Sequence, residues 1–272
     1  MKSITLGQYY PADSILHRLD PRMKVILAVL YIVATFLCKN VLSFAALLLS
    51  AIVLILISKI PMKLVLGGIK AILFIMAFTA LINVFFTKGE TPLVEWRFIH
   101  IYAEGLWQAL FMIVRITVLI VGTGMFLTYT TTPIMLTDAL EQLLAPLRVL
   151  HVPVHEFAMM MTIALRFIPT LVEETNKIMS AQKARGADFT SGSLISRAKA
   201  LIPILIPLFV SAFRRADELA TAMECRCYHG GTGRTRMTIL HYSPKDFVAL
   251  AVIVVFGAGI IVLNRLGIGY TM

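Results

Sequence analysis

Five long apolar runs constrain this chain more than any other feature. They are Val25–Cys38, Val41–Ile57, Gly68–Phe86, Gly105–Thr128 and Phe247–Leu263. In a hydrocarbon core every backbone polar group must be bonded within its own segment, so runs of this kind read as helices. Only Lys39 and Asn40 separate the first two. One helix through both would be about 50 Å long, against a hydrocarbon core of about 30 Å. The pair therefore reads as a tight helical hairpin, with Lys39 snorkelling to the far surface. Composition agrees with lipid as the solvent: 58% of the 272 residues are hydrophobic and only 15% are charged. The same figures exclude a disordered chain and a nucleic-acid-binding protein. The first run begins at Val25, behind the charged residues His17, Arg18, Asp20, Arg22 and Lys24, which is not a signal-peptide pattern.

Positive charge orients the spans, because cytoplasmic loops carry the excess of Lys and Arg. Residues 1–24 hold Lys2, Arg18, Arg22 and Lys24, and the linker after the second run holds Lys59, Lys63 and Lys70. Both are expected to face the cytoplasm. The loop after the third run sets Lys88 and Arg97 against Glu90, Glu95 and Glu104, and is expected outside. Residues 129–246 carry 13 Lys and Arg and are expected inside. The expected fold is an all-α membrane protein with about five spans and three cytoplasmic or interfacial amphipathic helices inserted before the last span. The segments are a cytoplasmic 1–24, a four-helix region 25–128, a cytoplasmic helical region 129–246, and a last span with the C-terminus, 247–272. The N-terminus is then inside and the C-terminus outside.

Within 129–246, Phe157–Leu165 and Ala200–Phe213 are too short to cross comfortably. If both crossed, Lys177, Lys183, Arg185, Arg197 and Lys199 would lie outside, against the charge rule. They read as helices on or under the membrane. Thr132 and Pro133 start a third, with a hydroxyl N-cap and Pro at the first helical position. Its Leu136, Leu140, Leu143, Leu144 and Leu147 recur at helical spacing, with Asp138 and Glu141 early and Arg148 late. That stripe fits a core face and a membrane-surface face equally.

Catalytic patterns are absent from the sequence. No Walker A motif occurs, and no Gly-Lys pair. Gly230–Thr235 is Gly-rich but follows a helical pattern, so it reads as a turn. No Ser/His/Asp or Cys/His set stands out. Cys38, Cys225 and Cys227 form no disulfide framework, and Cys225-x-Cys227 with His229 and His241 matches no zinc spacing. No cofactor or metal is expected. Arg115, near the middle of the fourth run, is the exceptional intramembrane charge. It needs a partner inside the protein or in a neighbouring subunit, and structural and functional roles both stay open. The other spans lack the polar groups with which transporters line a substrate path.

One internal repeat stands out. Ser180-Ala181-Gln182-Lys183-Ala184-Arg185-Gly186 resembles Thr221-Ala222-Met223-Glu224-Cys225-Arg226-Cys227. Each stretch is expected to end a polar helix, 170–186 and 208–227, that follows an Ile-Pro pair, Ile168-Pro169 and Ile206-Pro207. Each places one Arg in the last turn before a small residue. Capping explains one such end well. Two related ends point to two docking tips for a two-fold partner.

With these motifs in view, nearly the whole chain resembles the transmembrane T component of energy-coupling factor transporters. Gly7-Gln8-Tyr9-Tyr10, Ser14 and His17-Arg18-Leu19-Asp20-Pro21-Arg22-Met23-Lys24 are similar to that family's opening. Thr131-Thr132-Pro133, Leu143-Leu144-Ala145-Pro146-Leu147 and Ala164-Leu165-Arg166-Phe167-Ile168-Pro169 are also family-like. The family carries two Ala-Arg-Gly-type motifs at the ends of coupling helices. Ala184-Arg185-Gly186 matches in full, whereas Cys225-Arg226-Cys227 keeps only the Arg. The resemblance implies a non-catalytic scaffold of an ABC importer in a prokaryotic cell membrane. It would join two cytoplasmic ABC ATPases to a membrane-embedded S component that carries a vitamin or trace metal. The ATPases would be bound through Ala184, Arg185, Gly186, Cys225, Arg226 and Cys227. The apolar helices 154–168 and 194–213, with Met159, Met160, Met161, Leu201, Leu205 and Leu208, would face the S component, although a Met-rich internal core fits them as well. Two readings of other classes compete. A membrane-embedded lipid-modifying transferase would need clustered ionisable residues, and adjacent Glu173 and Glu174 have no such companions. A stand-alone permease would need a polar path.

Overall fold

Asp20 starts the first helix by capping it. Its carboxylate accepts the Arg22 N–H at 2.8 Å, and Pro21 occupies the first helical position. The structure, a computed structural model, describes residues 9–87, 92–96, 99–187, 189, 193–230 and 239–266. Lys2, Gly7, Gln8, Lys88, Glu90, Arg97 and 231–235, all used in reading the sequence, lie outside the described residues. The helices are α1 (Pro21–Leu37), α2 (Val41–Ser58), α3 (Met62–Phe86), α4 (Ala103–Thr123), α5 (Pro133–Leu143), α6 (Val154–Ala184), α7 (Leu194–Cys225) and α8 (Pro244–Arg265). A π-helical turn, Gly124–Thr128, extends α4, and a 3-10 helix, Ala145–Leu150, follows α5. The chain forms two compact units that divide within α5, between Ala139 and Leu140.

The first unit contains α1–α4 and α8. Among the described residues, four helical stretches are long and apolar enough to cross a membrane: Val41–Ser58, Met62–Phe86, Ala103–Thr128 and Pro244–Arg265. At 17 residues, α1 sits at the lower limit for a span. The hairpin expected at Lys39-Asn40 is present, because Cys38 and Asn40 turn extended, with ψ of 126° and 155°. This turn is tied to the end of α8. Asn40 Nδ2 donates to the Leu263 and Asn264 carbonyls, which are among those a helix leaves unbonded at its C-terminus. Asn264 returns the contact, donating to the Leu37 carbonyl at 2.6 Å and accepting from Ser43 Oγ at 2.8 Å.

At the other end of α1 a buried polar clamp joins it to α8. The Asp20 carboxylate takes the Arg22 guanidinium at two points, Nε at 3.0 Å and Nη2 at 2.8 Å. Arg22 also lies 3.8 Å over the Tyr242 ring and donates to the Leu240 carbonyl. Asp246 is fully buried; it accepts the Asp20 N–H at 2.9 Å and forms a capping box with Ser243. Lys24, equally sealed, donates to the Thr130 carbonyl at 2.8 Å and to that of His17 at 3.2 Å. Between these two polar ends the core is apolar, with Leu27, Tyr31, Leu47, Val118, Met125 and Ile260 at its centre. Tyr31 fits there only because Gly122 lacks a side chain; a Cβ at Gly122 would overlap the Tyr31 ring.

Two expectations need correction. The stretch before α4, read as a plain loop, contains an antiparallel hairpin of β1 (Pro92–Trp96) and β2 (Ile99–Tyr102), paired Val94 to Ile101 and Trp96 to Ile99. Apart from it the described fold is helical. The second unit corrects the reading of 154–227. The apolar helices 154–168 and 194–213 and the polar helices 170–186 and 208–227 are not separate. They merge into α6, 31 residues with Pro169 inside, and α7, 32 residues with Pro203 and Pro207 inside. Each proline removes one backbone bond at a local cost of about 3 kcal/mol, and the uninterrupted turns on either side carry the helix through. As expected, α5 begins with Thr132 Oγ1 accepting the Met135 N–H, at 3.3 Å.

Candidate functional site

The two arginine tips are built alike. After Ala184, Arg185 leaves the helix and Gly186 takes a left-handed φ of 87°. The Gly186 N–H reaches the Lys183 carbonyl and the Ala187 N–H reaches that of Gln182, both at 3.0 Å. This pair of bonds is a Schellman end, which satisfies carbonyls the helix would otherwise leave open. At the second tip the Cys227 N–H reaches Glu224 at 2.8 Å and the Tyr228 N–H reaches Met223 at 3.1 Å, the same pattern. Cys227 stands where Gly186 stands, at φ 54°, a left-handed value that glycine adopts without strain and a side chain resists. The degenerate sequence repeat is thus a close repeat of backbone geometry. All six tip residues, Ala184, Arg185, Gly186, Cys225, Arg226 and Cys227, are exposed.

The tips belong to helices that meet through an ion pair the sequence did not reveal. Arg215 Nη2 donates to Glu174 Oε2 at 2.8 Å. The Ser211 hydroxyl, and then Arg215, hold the Glu174 carboxyl below its ordinary range. Glu174 lies eleven residues before Arg185, and Arg215 eleven before Arg226. The partners are 41 residues apart, the same spacing as the two arginines. Each tip is therefore about 16 Å along its helix from the pair. Chain length fixes the sense of the crossing. The start of α7 lies about 31 Å from the pair. Were the helices parallel there, the short connection from Arg185 to Leu194 would have to bridge nearly 50 Å, beyond the ~3.5 Å per residue a chain can reach. The helices run antiparallel, so Arg185 and Arg226 point away from each other. A local two-fold relation through the ion pair follows. Ile163, Phe167, Leu171, Ala212, Ala216 and Leu219 line a shallow apolar groove between the two helices.

The remaining sequence candidates fall in three places. Met160 and Met161 on α6 and Leu201 and Leu205 on α7 are exposed, between 40% and 57%, whereas Met159 and Leu208 are half-buried. The exposed face of α7 continues through Ile202, Ile206, Phe209, Val210 and Phe213. This is an open apolar surface on that unit, not a sealed Met-rich core. Arg115 is held within the first unit: its Nη2 donates to the Cys38 carbonyl at 3.0 Å and its guanidinium lies 5.2 Å from the Phe44 ring. It closes the turn between α1 and α2. Among the described residues, no three His, Cys, Asp or Glu side chains gather as metal ligands. Cys225 and Cys227 are free, exposed thiols.

A family model described as "CbiQ: Cobalt transport protein" matches residues 12–239. Curated relatives described as "Energy-coupling factor transporter transmembrane protein EcfT" match over nearly the full length. The protein of Ruminiclostridium cellulolyticum is 53% identical over 264 residues, covering 97% of this chain and 98% of its own. That of Clostridium kluyveri is 52% identical, with 92% of each chain covered. That of Bacillus subtilis is 47% identical, with 95% of this chain and 97% of its own covered. Apolar helices fit to span a bilayer, paired arginine tips and this likeness agree: the chain belongs to the CbiQ/EcfT family, the transmembrane components of energy-coupling factor transporters.

Proposed function

We propose that this chain is the scaffold that couples two cytoplasmic ABC ATPases to a membrane-embedded, substrate-binding S component, for uptake of a vitamin or trace metal. It neither hydrolyses ATP nor holds the substrate. It sits in a prokaryotic cell membrane with its N-terminus and residues 129–246 on the cytoplasmic side. Arg185 and Arg226 each enter a groove on one ATPase, and the apolar faces of α6 and α7 around Met160, Met161, Leu201 and Leu205 meet the S component. The observation that carries the reading is the pair of equivalent Schellman ends, each presenting an exposed arginine and pointing away from the other. A cap needs no such duplication. A guanidinium offers a planar fork of donors, so it can make several charge-assisted bonds inside an acidic pocket.

The magnitudes separate docking from capping. Charge-assisted bonds contribute about 1.5–3 kcal/mol each, whereas a cation at a helix C-terminus contributes about 0.3–1 kcal/mol. Arg185→Glu or Arg226→Glu should leave accumulation and insertion intact and abolish uptake. The double change should also release the ATPases during purification. Lys replacements should fall between, because an ammonium keeps the charge but not the fork. Normal transport by the double Glu variant would reduce both arginines to helix caps.

A further inference from the structure

The two tips share a backbone and one arginine, but their surroundings are electrostatic opposites. The shared spacing of 41 places Glu173 against Arg214, Glu174 against Arg215, Lys177 against Glu218, and Lys183 against Glu224. Every charged position of α6 in this stretch is matched by the opposite charge on α7, except Arg185, matched by Arg226. The inversion at Glu174 and Arg215 has an internal use, since it makes the ion pair at the crossing. Among the described residues the inversions nearer the tips make no ion pair, although Lys177 adds to the positive field that lowers Glu174. Lys177, Lys183, Glu218 and Glu224 are all exposed. Asp217, also exposed, adds a further negative charge on α7. Arg185 thus emerges from a basic collar and Arg226 from an acidic one.

Resting on the docking role proposed above, we infer that these collars sort two different ATPase chains. The α6 tip takes a groove with an acidic rim around its arginine pocket. The α7 tip takes a groove whose rim is basic, with acidic groups confined to the pocket itself. The arginines supply the shared anchor. Lys177, Lys183, Glu218 and Glu224 determine which ATPase sits on which tip. Like-charge juxtaposition is the device: rim charges add little to affinity when matched, but exclude the wrong partner when mismatched. Two identical grooves could not suit both collars.

The test uses the full complex in membranes, with both ATPases co-expressed. A photo-crosslinking amino acid replaces Ala181 or Ala222, which are equivalent exposed positions one turn before each arginine. The ATPase chain captured from each tip is identified by mass spectrometry. We expect each tip to capture a different ATPase, with a preference of about tenfold or more. Exchanging the collars by Lys177→Glu, Lys183→Glu, Glu218→Lys and Glu224→Lys in one chain should interchange the captured partners. Should that variant fail to accumulate, Lys183→Gln with Glu224→Gln should give mixed capture at both tips. Capture of one ATPase equally from both tips, or a pattern unmoved by either variant, would overturn the sorting role. Capture of no ATPase from either tip would instead overturn the docking reading beneath it.

Discussion

Asp20 does two separable jobs, and substitution can part them. It caps α1 through the Arg22 N–H, and it neutralises the Arg22 guanidinium. Asp20→Asn keeps an oxygen for the cap and removes the charge. Arg22 would then be left in a site where its side chain is 11% exposed and Asp20 itself is 2% exposed. Breaking a buried pair by removing one partner costs about 3–5 kcal/mol. The amide oxygen can still accept one bond, so the expected loss lies near the lower bound, about 3 kcal/mol. Asp20→Ala loses the cap as well, a further ~1 kcal/mol. Arg22→Met in the Asp20→Asn background should recover part of the loss, because no charge is then stranded. The assay is denaturant unfolding of the purified protein in mixed micelles, comparing the four chains. An Asp20→Asn chain within about 0.5 kcal/mol of the parent, the range of ordinary surface substitutions, would refute the buried pair. Equal stability of Asp20→Asn and Asp20→Ala would refute the cap.

Three further outcomes follow from local geometry. Gly122→Ala should lower the unfolding midpoint by overpacking, about 1–3 kcal/mol, and Tyr31→Leu in the same chain should restore much of it; a wild-type midpoint for Gly122→Ala alone would contradict the close approach. Cys227→Gly should relieve a left-handed side chain and raise stability by about 0.5–1 kcal/mol; a lowered midpoint would contradict the φ of 54°. Because Glu174 is held below its ordinary value of 4.5, its pairing with Arg215 contributes at neutral pH and is lost as acidification passes that value and then the lowered one. The stability gap between the parent and Glu174→Gln should therefore be widest near pH 7 and close in acid, and a gap that widens in acid would reverse the assignment.

What the sequence conveys here is local. The α1 cap is legible because Asp20-Pro21 acts within one turn, and Gly186 announces its own left-handed end. Cys227 does not, since its φ is set by the same Schellman bonds acting on a residue that carries no sign of them. Asp246 and Lys24 are silent because their partners lie 226 and 106 residues away. The Glu174 to Arg215 pair is silent for the same reason, although equal spacing from the two arginines was a signal available in the chain. Pro169 and Pro207 misled for the opposite reason. A proline is a strong local signal, but its cost is bounded, and a long helix on either side outweighs it. Arg115 looked isolated only because backbone carbonyls, such as that of Cys38, leave no trace in residue type.

The two units use polarity in opposite ways, and the contrast bears on what the chain can do. In the unit of α1–α4 and α8, charges and amides turn inward and tie helices together: Asp20, Lys24 and Asp246 at one end of α1, Asn40, Asn264 and Arg115 at the other. Its outward helix faces are largely apolar, with Phe74 and Phe86 about four-fifths exposed, and its exposed charges, such as Lys39, Lys59 and Lys63, gather at the helix ends. Polar groups so committed tie helices to one another, and the apolar exterior suits lipid. The unit of α6 and α7 instead carries its charges outward, to the two tips. Each of its helices is divided by the ion pair into a polar arm of eleven residues, about 16 Å, and an apolar arm of about 30 Å. On the proposed reading, a rotation about that crossing driven at the arginines would displace the apolar ends about twice as far as the arginines. Such leverage exists only if each helix stays unbroken through its prolines. Continuity through Pro169, Pro203 and Pro207 is therefore the structural feature that joins the arginine ends to the apolar ones.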